Sequence, residues 1–260
     1  MNVLILTFLV LTIIFVIGWV ASLKIKNASI VDAMWALSLG IPVFIYVSSH
    51  HGSNSRNIIL LSMALIWSLR LGIHLSRRIH AHHPDEDSRY KILRVQWKEN
   101  ANRNFLIIFL INSTLVFLLS LPFYFSSQLD APVQLSEWIG LAIFSIGLIG
   151  ESMADQQLAK FRKQRGRGKI CNIGLWNYSR HPNYFFEAVI WVGIYLFCAA
   201  SPGGIFTVHA PLIMIFLLTK VTGIPPTESS LLKSRGEAYK EYQQTTSAFI
   251  PWFKNKKKTS

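Results

Sequence analysis

Acidic residues are scarce in this sequence: 13 Asp and Glu among 260 residues, against 26 Lys and Arg. Charged residues of both signs make up only 15% of the chain, while 51% is apolar and the mean hydropathy is +0.35. A soluble domain carries roughly 25% charged residues, so an ordinary water-soluble fold is excluded. Cysteine is sparser still, with Cys171 and Cys198 alone. Neither has partners at metal-ligand spacing, and the spans assigned below set them near opposite faces of a membrane, so no disulfide is expected. A dinucleotide fingerprint is missing too. Gly166 and Gly168 flank Arg167, but no strand precedes them.

Long apolar runs are what the chain has instead. They cover about residues 3–23, 30–48, 57–73, 104–125, 136–155, 183–201 and 204–220. Each falls within the range of about 17–25 residues that crosses the hydrocarbon core as a helix. The first lacks a basic leader and is followed by Lys24 and Lys26, so it is expected to stay as an anchor. The prediction is an all-α, multi-pass protein of about seven transmembrane helices, in a bacterial inner membrane or, in a eukaryote, the endoplasmic reticulum. A net charge of +13 in a soluble chain would suggest nucleic acid. Here the basic residues sit in short loops between apolar runs, which suits an anionic lipid surface, and no nucleic-acid partner is expected. With seven spans, every Lys and Arg except Arg56 and Arg70 falls on one side. The positive-inside rule makes that side cytosolic, with the N-terminus outside. Residues 1–253 read as one integral membrane domain whose C-terminal half begins at about 136, and 254–260 as a basic cytosolic tail.

Ionisable residues within the spans cluster toward the same side: Asp32, Arg70, Glu151, Asp155 and Glu187. Snorkelling to the interface explains one such residue. A charge in the bilayer costs at least ~2.5 kcal/mol, so five together point to a polar cavity open to the cytosol. The densest stretch is ESMADQQLAKFRKQRGRGKICNIGLWNYSRHPNYFFE, residues 151–187. Span five is predicted to continue as a helix that carries Asp155 and Arg162 on one face and breaks at Gly166. Pro182 suits the first turn of span six, where its missing N–H costs nothing. Arg180, Asn183 and Glu187 then share a face there, and an arginine beside a helix N-terminus favours a phosphate-bearing ligand. His80, His82 and His83 sit in a polar loop without cysteine or paired carboxylates; they are read as interface histidines, and no metal site is proposed.

GLWNYSRHPNYFFEAVIWVGIYL, TGIPPTE and EAYKEYQQTTSAFIPW together resemble the C-terminal domain of the steroid 5-alpha-reductase family. The likeness is greatest to an uncharacterised bacterial branch, whose other signatures appear here as a D-x-x-W near span two, RLGIHLSRR and EDSRY. The resemblance implies a multi-spanning reductase that holds NADPH on the cytosolic side and reduces an activated C=C bond of a lipophilic enone entering from the bilayer. It implies cofactor contacts at Asp155, Arg162, Tyr178, Asn183 and Glu187, with Arg180 and His181 in the same motif, and Glu228, Tyr239 and Tyr242 in the C-terminal segment. The family's ketone-binding acid falls near Asp32, which apolar surroundings would keep as a hydrogen-bond donor. Its tyrosine position falls on Trp67, whose indole donates a hydrogen bond but passes no phenolic proton. The Arg180–Tyr184 segment with Glu228 is also similar to membrane methyltransferases of the isoprenylcysteine carboxyl type, which use S-adenosylmethionine. Those typically carry paired glutamates where this chain has Thr227-Glu228. A non-enzymatic lipid-binding protein on the same fold is a third reading. The charge partition makes a direct forecast. Single cysteines placed between residues 156 and 180 should react with an impermeant thiol reagent only from the cytosolic face, and labelling from the other face would invert the assignment.

Overall fold

A computed structural model describes residues 2–49, 54–82, 84–166 and 168–254. His83, Arg167 and the tail residues 255–260, with Lys256, Lys257 and Lys258, lie outside the described residues. The chain is an all-helical polytopic membrane protein. Among the described residues the sole β feature is an isolated parallel bridge between Ser179 and Ser247. In order, the α-helices are α1 (Val3–Ile25), α2 (Ile30–Ser38), α3 (Gly40–Ser49), α4 (Asn54–His82), α5 (Ser88–Trp97) and α6 (Ala101–Ser127). They continue with α7 (Leu135–Arg165), α8 (Pro182–Cys198), α9 (His209–Phe216), α10 (Ile224–Arg235) and α11 (Glu237–Thr245). Among the described residues six helical segments are long and apolar enough to cross a membrane by length and composition, and the apolar α8 is shorter, at 17 residues.

Two compact units divide the chain: Met1–Val133 with Ser201–Gly204, and Gln134–Ala200 with Ile205–Ser260. In the first unit α1 packs on α6, and α2 and α3 pack on α4. Thr7, Leu11, Phe15, Gly18 and Ser22 form the buried stripe of α1, spaced three and four residues apart. Its other faces expose Ile5, Leu9, Ile13 and Ile17, which a lipid environment accepts and water does not. Span two is broken at Leu39 into α2 and α3. Pro42 explains the break, because it has no N–H to offer the carbonyl of Ser38 one turn earlier. Arg56, the basic residue left opposite the others in the sequence pattern, is fully buried. It donates to the carbonyls of Leu129 at 2.6 Å, Ala131 at 2.7 Å and Pro132 at 3.2 Å. These carbonyls lie in the connection that follows α6, and a guanidinium supplies several donors to them at once.

In the second unit α7 starts at a capping box, in which the Glu137 carboxylate accepts the Gln134 N–H at 2.7 Å. It runs for 31 residues, well past the apolar segment, and ends at Gly166 with φ of 88°. That left-handed conformation favours glycine. The main packing of this unit is α7 along α8. At the crossing Gly140 and Gly193 face each other: a Cβ on Gly193 would lie 2.4 Å from the Phe144 nitrogen and 2.8 Å from the Gly140 oxygen. Small residues of this kind let two helix backbones touch, which gains dispersion where no water is present to drive association. Span seven is composite: a 3₁₀ turn, α9, then a π-helical turn at Leu217–Val221 before α10. The glycine contact yields a stability test. Gly193→Ala should lower stability by about 1–3 kcal/mol through overpacking. Gly168→Ala, where a Cβ meets nothing within 4 Å, should leave it unchanged. Melting of both variants in detergent checks the contrast, and equal melting would show that the backbones do not touch.

Candidate functional site

The residues before α8 are stitched to those after α11. Arg180 N–H donates to the Ser247 carbonyl at 2.8 Å, and Trp252 N–H to that of Tyr178 at 3.0 Å. The Ser179 hydroxyl, fully buried, donates to the Phe249 carbonyl at 2.9 Å. On the other side, Trp176 Nε1 donates to the Ala154 carbonyl and Leu175 N–H to Gln157 Oε1, both at 2.9 Å. Phe161, Cys171 and Trp176 form a small buried cluster beneath this loop. Burial raises the Cys171 thiol, which keeps it protonated and unreactive. Pro182 opens α8 at its first turn, as the sequence predicts, with His181 as the cap residue.

Four of the sequence-selected residues meet at Glu228. Its carboxylate accepts Arg180 Nε at 2.7 Å and Tyr239 OH at 3.5 Å, with His181 Nε2 at 3.3 Å. Gln243, which the sequence reading did not select, adds a donor at 3.0 Å. Arg180 Nη1 also reaches the carbonyls of Gln243 at 3.0 Å and Thr246 at 2.5 Å. The His181 ring lies flat on Tyr184, with centroids 5.3 Å apart, and its side chain is 3% exposed. Tyr242 donates to the Trp176 carbonyl. Burial, reinforced by Glu228, pushes the Tyr239 phenol well above its ordinary value; burial does the same to Tyr242. Both therefore act as neutral donors. Arg180, expected to face a phosphate, is held through Nε and Nη1 by one carboxylate and two carbonyls, supplied by a segment that returns some 48 to 66 residues later.

A second polar group lies on the facing sides of α7 and α8. Asn183 Nδ2 donates to Asp155 Oδ1 at 3.4 Å, which orients the amide, because a carboxylate accepts only. Asn183 Oδ1 is then buried and accepts no hydrogen bond from the described residues. Glu187, 4% exposed, accepts the Trp191 indole N–H at 3.0 Å. Arg162 is exposed in the last turn of α7. Tyr178 is also exposed, edge-on to Phe253.

Asp32 and Trp67 belong to the first unit. The expectation of apolar surroundings for Asp32 is not met. It accepts Arg89 Nη2 and Tyr90 OH, each at 2.6 Å, and is 25% exposed. The reason is that EDSRY folds over the start of α2. Glu86 Oε1 accepts the Ala28 N–H at 2.7 Å, Ser29 Oγ accepts that of Asp87 at 2.9 Å, and Arg94 binds Glu86 through two nitrogens. Asp87 in turn pairs with Arg78, so the RLGIHLSRR and EDSRY segments meet. Trp67 is buried and packs edge-on against Trp35, one turn beyond Asp32, at 5.6 Å. The side chain of His82, like all of His83, is outside the described residues.

Comparison with known proteins adds a family. The family described as protein of unknown function (DUF1295) matches residues 18–246. An uncharacterised protein of Schizosaccharomyces pombe is 24% identical over 270 aligned residues, covering 91% of this chain and 77% of that protein. No solved structure matches.

The EDSRY clamp has a pH signature. Burial alone would raise the Asp87 carboxyl, but hydrogen bonds from the Arg89 side chain and N–H, with the charges of Arg89 and Arg78, outweigh it and hold the group at about 2, below its ordinary 3.8. A lowered folded value means stability that is present above pH ~4 and lost as pH falls toward about 2. Asp87 also caps α5 through the Arg89 N–H at 3.0 Å. Asp87→Asn should keep the cap and lose the charge pairing, whereas Asp87→Ala should lose about 1 kcal/mol more. Melting curves of wild type and both variants from pH 7 to 3 test this; an Asp87→Asn protein as stable as wild type at pH 7 would refute the ionic part.

Proposed function

We propose that this chain, which belongs to the DUF1295 family, is a membrane-embedded, NADPH-dependent reductase of an activated C=C bond in a lipophilic enone. The reading rests on the motif resemblance and on one structural observation that supports it. In the apolar α7–α8 pair, Asn183 presents a buried acceptor oxygen that no described residue fills, beside Asp155 and one turn from Glu187. An unfilled buried acceptor costs roughly 1–3 kcal/mol, so it suits a ligand that brings N–H donors, as a nicotinamide carboxamide does. Asn183, Glu187 and Asp155 would hold that ring. The exposed Arg162 would meet a phosphate. Glu228, Arg180, His181 and Tyr239 would brace the site. NADPH held there would supply a hydride to the carbon β to a carbonyl, and water would supply the proton that completes the α carbon. At the position of the family's tyrosine this chain has Trp67, which offers no phenolic proton, so steroid is not assigned as the substrate.

The site is assigned to the cytosolic side, with the N-terminus outside, on the distribution of Lys and Arg. S-adenosylmethionine is the rival cofactor. Against it stands Glu228, a lone carboxylate next to Thr227 that already receives four donors.

Thermal shift of the detergent-solubilised protein with NADPH, NADH and S-adenosylmethionine decides between them. At a hundred times Kd a true cofactor stabilises by about 2.7 kcal/mol. NADPH should raise Tm and S-adenosylmethionine should not. Asn183→Ala and Glu187→Gln should weaken NADPH about tenfold while melting within a few degrees of wild type without ligand. A shift with S-adenosylmethionine alone would replace the reductase reading, and variants with lowered Tm but full NADPH affinity would remove both residues from the site.

A further inference from the structure

In the first unit an open cavity of about 530 Å³ lies beside the C-terminal end of α1, a volume within the usual range for small-ligand sites. Leu23 forms an apolar wall. Lys26 stands at the point where α1 stops, with φ of 52°. Lys91 and Arg94, three residues apart on α5, line another side. The carboxylates present are already engaged. Glu86 is held by Arg94 and the Ala28 N–H, and Asp85 is paired with Lys91 at 2.7 Å. Three cations thus face two carboxylates, and Lys26 has no carboxylate partner among the described residues. One positive charge remains, which matches the single negative charge of a phosphodiester.

The neighbourhood is that of a lipid surface. Trp19, on α1, donates its indole N–H to the Asn102 carbonyl at 3.0 Å, and Asn102 lines the same cavity. An indole with an apolar body and a satisfied polar tip is the usual residue at the headgroup level. Elsewhere on the same helices α1 exposes Ile17 and Val20, and α5 exposes Ile92 and Val95. Such surfaces suit acyl chains. A free phosphate would make no use of Leu23 or of these apolar faces.

We propose that this cavity binds the phosphate of a membrane phospholipid, with the phosphodiester on Lys26 and the acyl chains passing Leu23 along α1. Lys91 and Arg94, already paired, set the rim. The site is independent of the reductase reading.

Delipidated full-length protein in detergent provides the test, with three probes: dioleoylphosphatidylglycerol, dioleoylglycerol, which has the same chains and no phosphate, and inorganic phosphate, which has no chains. Retained adducts in native mass spectrometry and the shift in Tm are the readouts. The phospholipid should bind and raise Tm; the other two should not. Lys26→Gln should weaken phospholipid binding about fivefold, and Lys26→Glu more. Lys24→Gln, an exposed lysine of the same helix end that does not line the cavity, should bind as wild type does. Equal binding of dioleoylglycerol would reduce the effect to general solvation of the apolar belt. An equal shift with inorganic phosphate would make it a free-anion site. Wild-type affinity in Lys26→Gln would overturn the proposal outright.

Discussion

The backbones of α7 and α8 touch at Gly140 and Gly193, and the second unit depends on that contact. In hydrocarbon, two apolar helices gain little by hiding from lipid, so they associate where atoms can pack most closely. Because the side-chain layer is absent there, the two helices run close enough to bring Asp155 within hydrogen-bond reach of Asn183. Close approach thus serves two ends. It holds the pair together, and it brings a buried amide on α8 within reach of a carboxylate on α7.

Two polar clusters in this unit follow opposite rules. At Glu228 arginine, histidine, phenol and amide converge on one carboxylate, and Nη1 of the guanidinium turns to carbonyls. A cluster so satisfied is rigid, and it has little left to offer a ligand. At Asn183 one acceptor stays open. Rigid surroundings around an unfilled group are the ordinary arrangement of a binding site, because the cost of ordering has been met before the ligand arrives. In the first unit EDSRY belongs with the filled kind. Its acids and bases close the start of α2.

Much of this architecture was legible in the sequence. Lipid demands about twenty apolar residues per crossing, and that demand leaves runs no soluble fold would keep. Pro182 and Gly166 marked helix ends because one lacks a donor and the other tolerates positive φ. The break at Leu39 could have been read from Pro42. Trp191, four residues after Glu187, stood one helical turn away and was a readable partner. Other features had no local signal. Arg180 and Glu228 are 48 residues apart, and Asp32 and Tyr90 are 58 apart. Charge and polarity showed that such residues needed partners, but only the fold determines which one each finds. Asp32 reads in sequence as set in apolar surroundings, because the segment that folds over it lies 57 to 58 residues further on.

That order along the chain has a consequence for biogenesis. Ser179, Arg180 and His181 precede α8, whereas Glu228, Gln243 and Thr246 all emerge from the ribosome afterwards. During synthesis the guanidinium and the imidazole must wait, solvated at the membrane surface, while α8 and α9 are inserted. The site therefore assembles last, by the return of α10 and α11, and a nascent chain that stalls before Glu228 carries an uncompensated arginine where the finished protein has a sealed network. Insertion and maturation are separate events in this molecule, and a membrane-integrated product is not yet an assembled one.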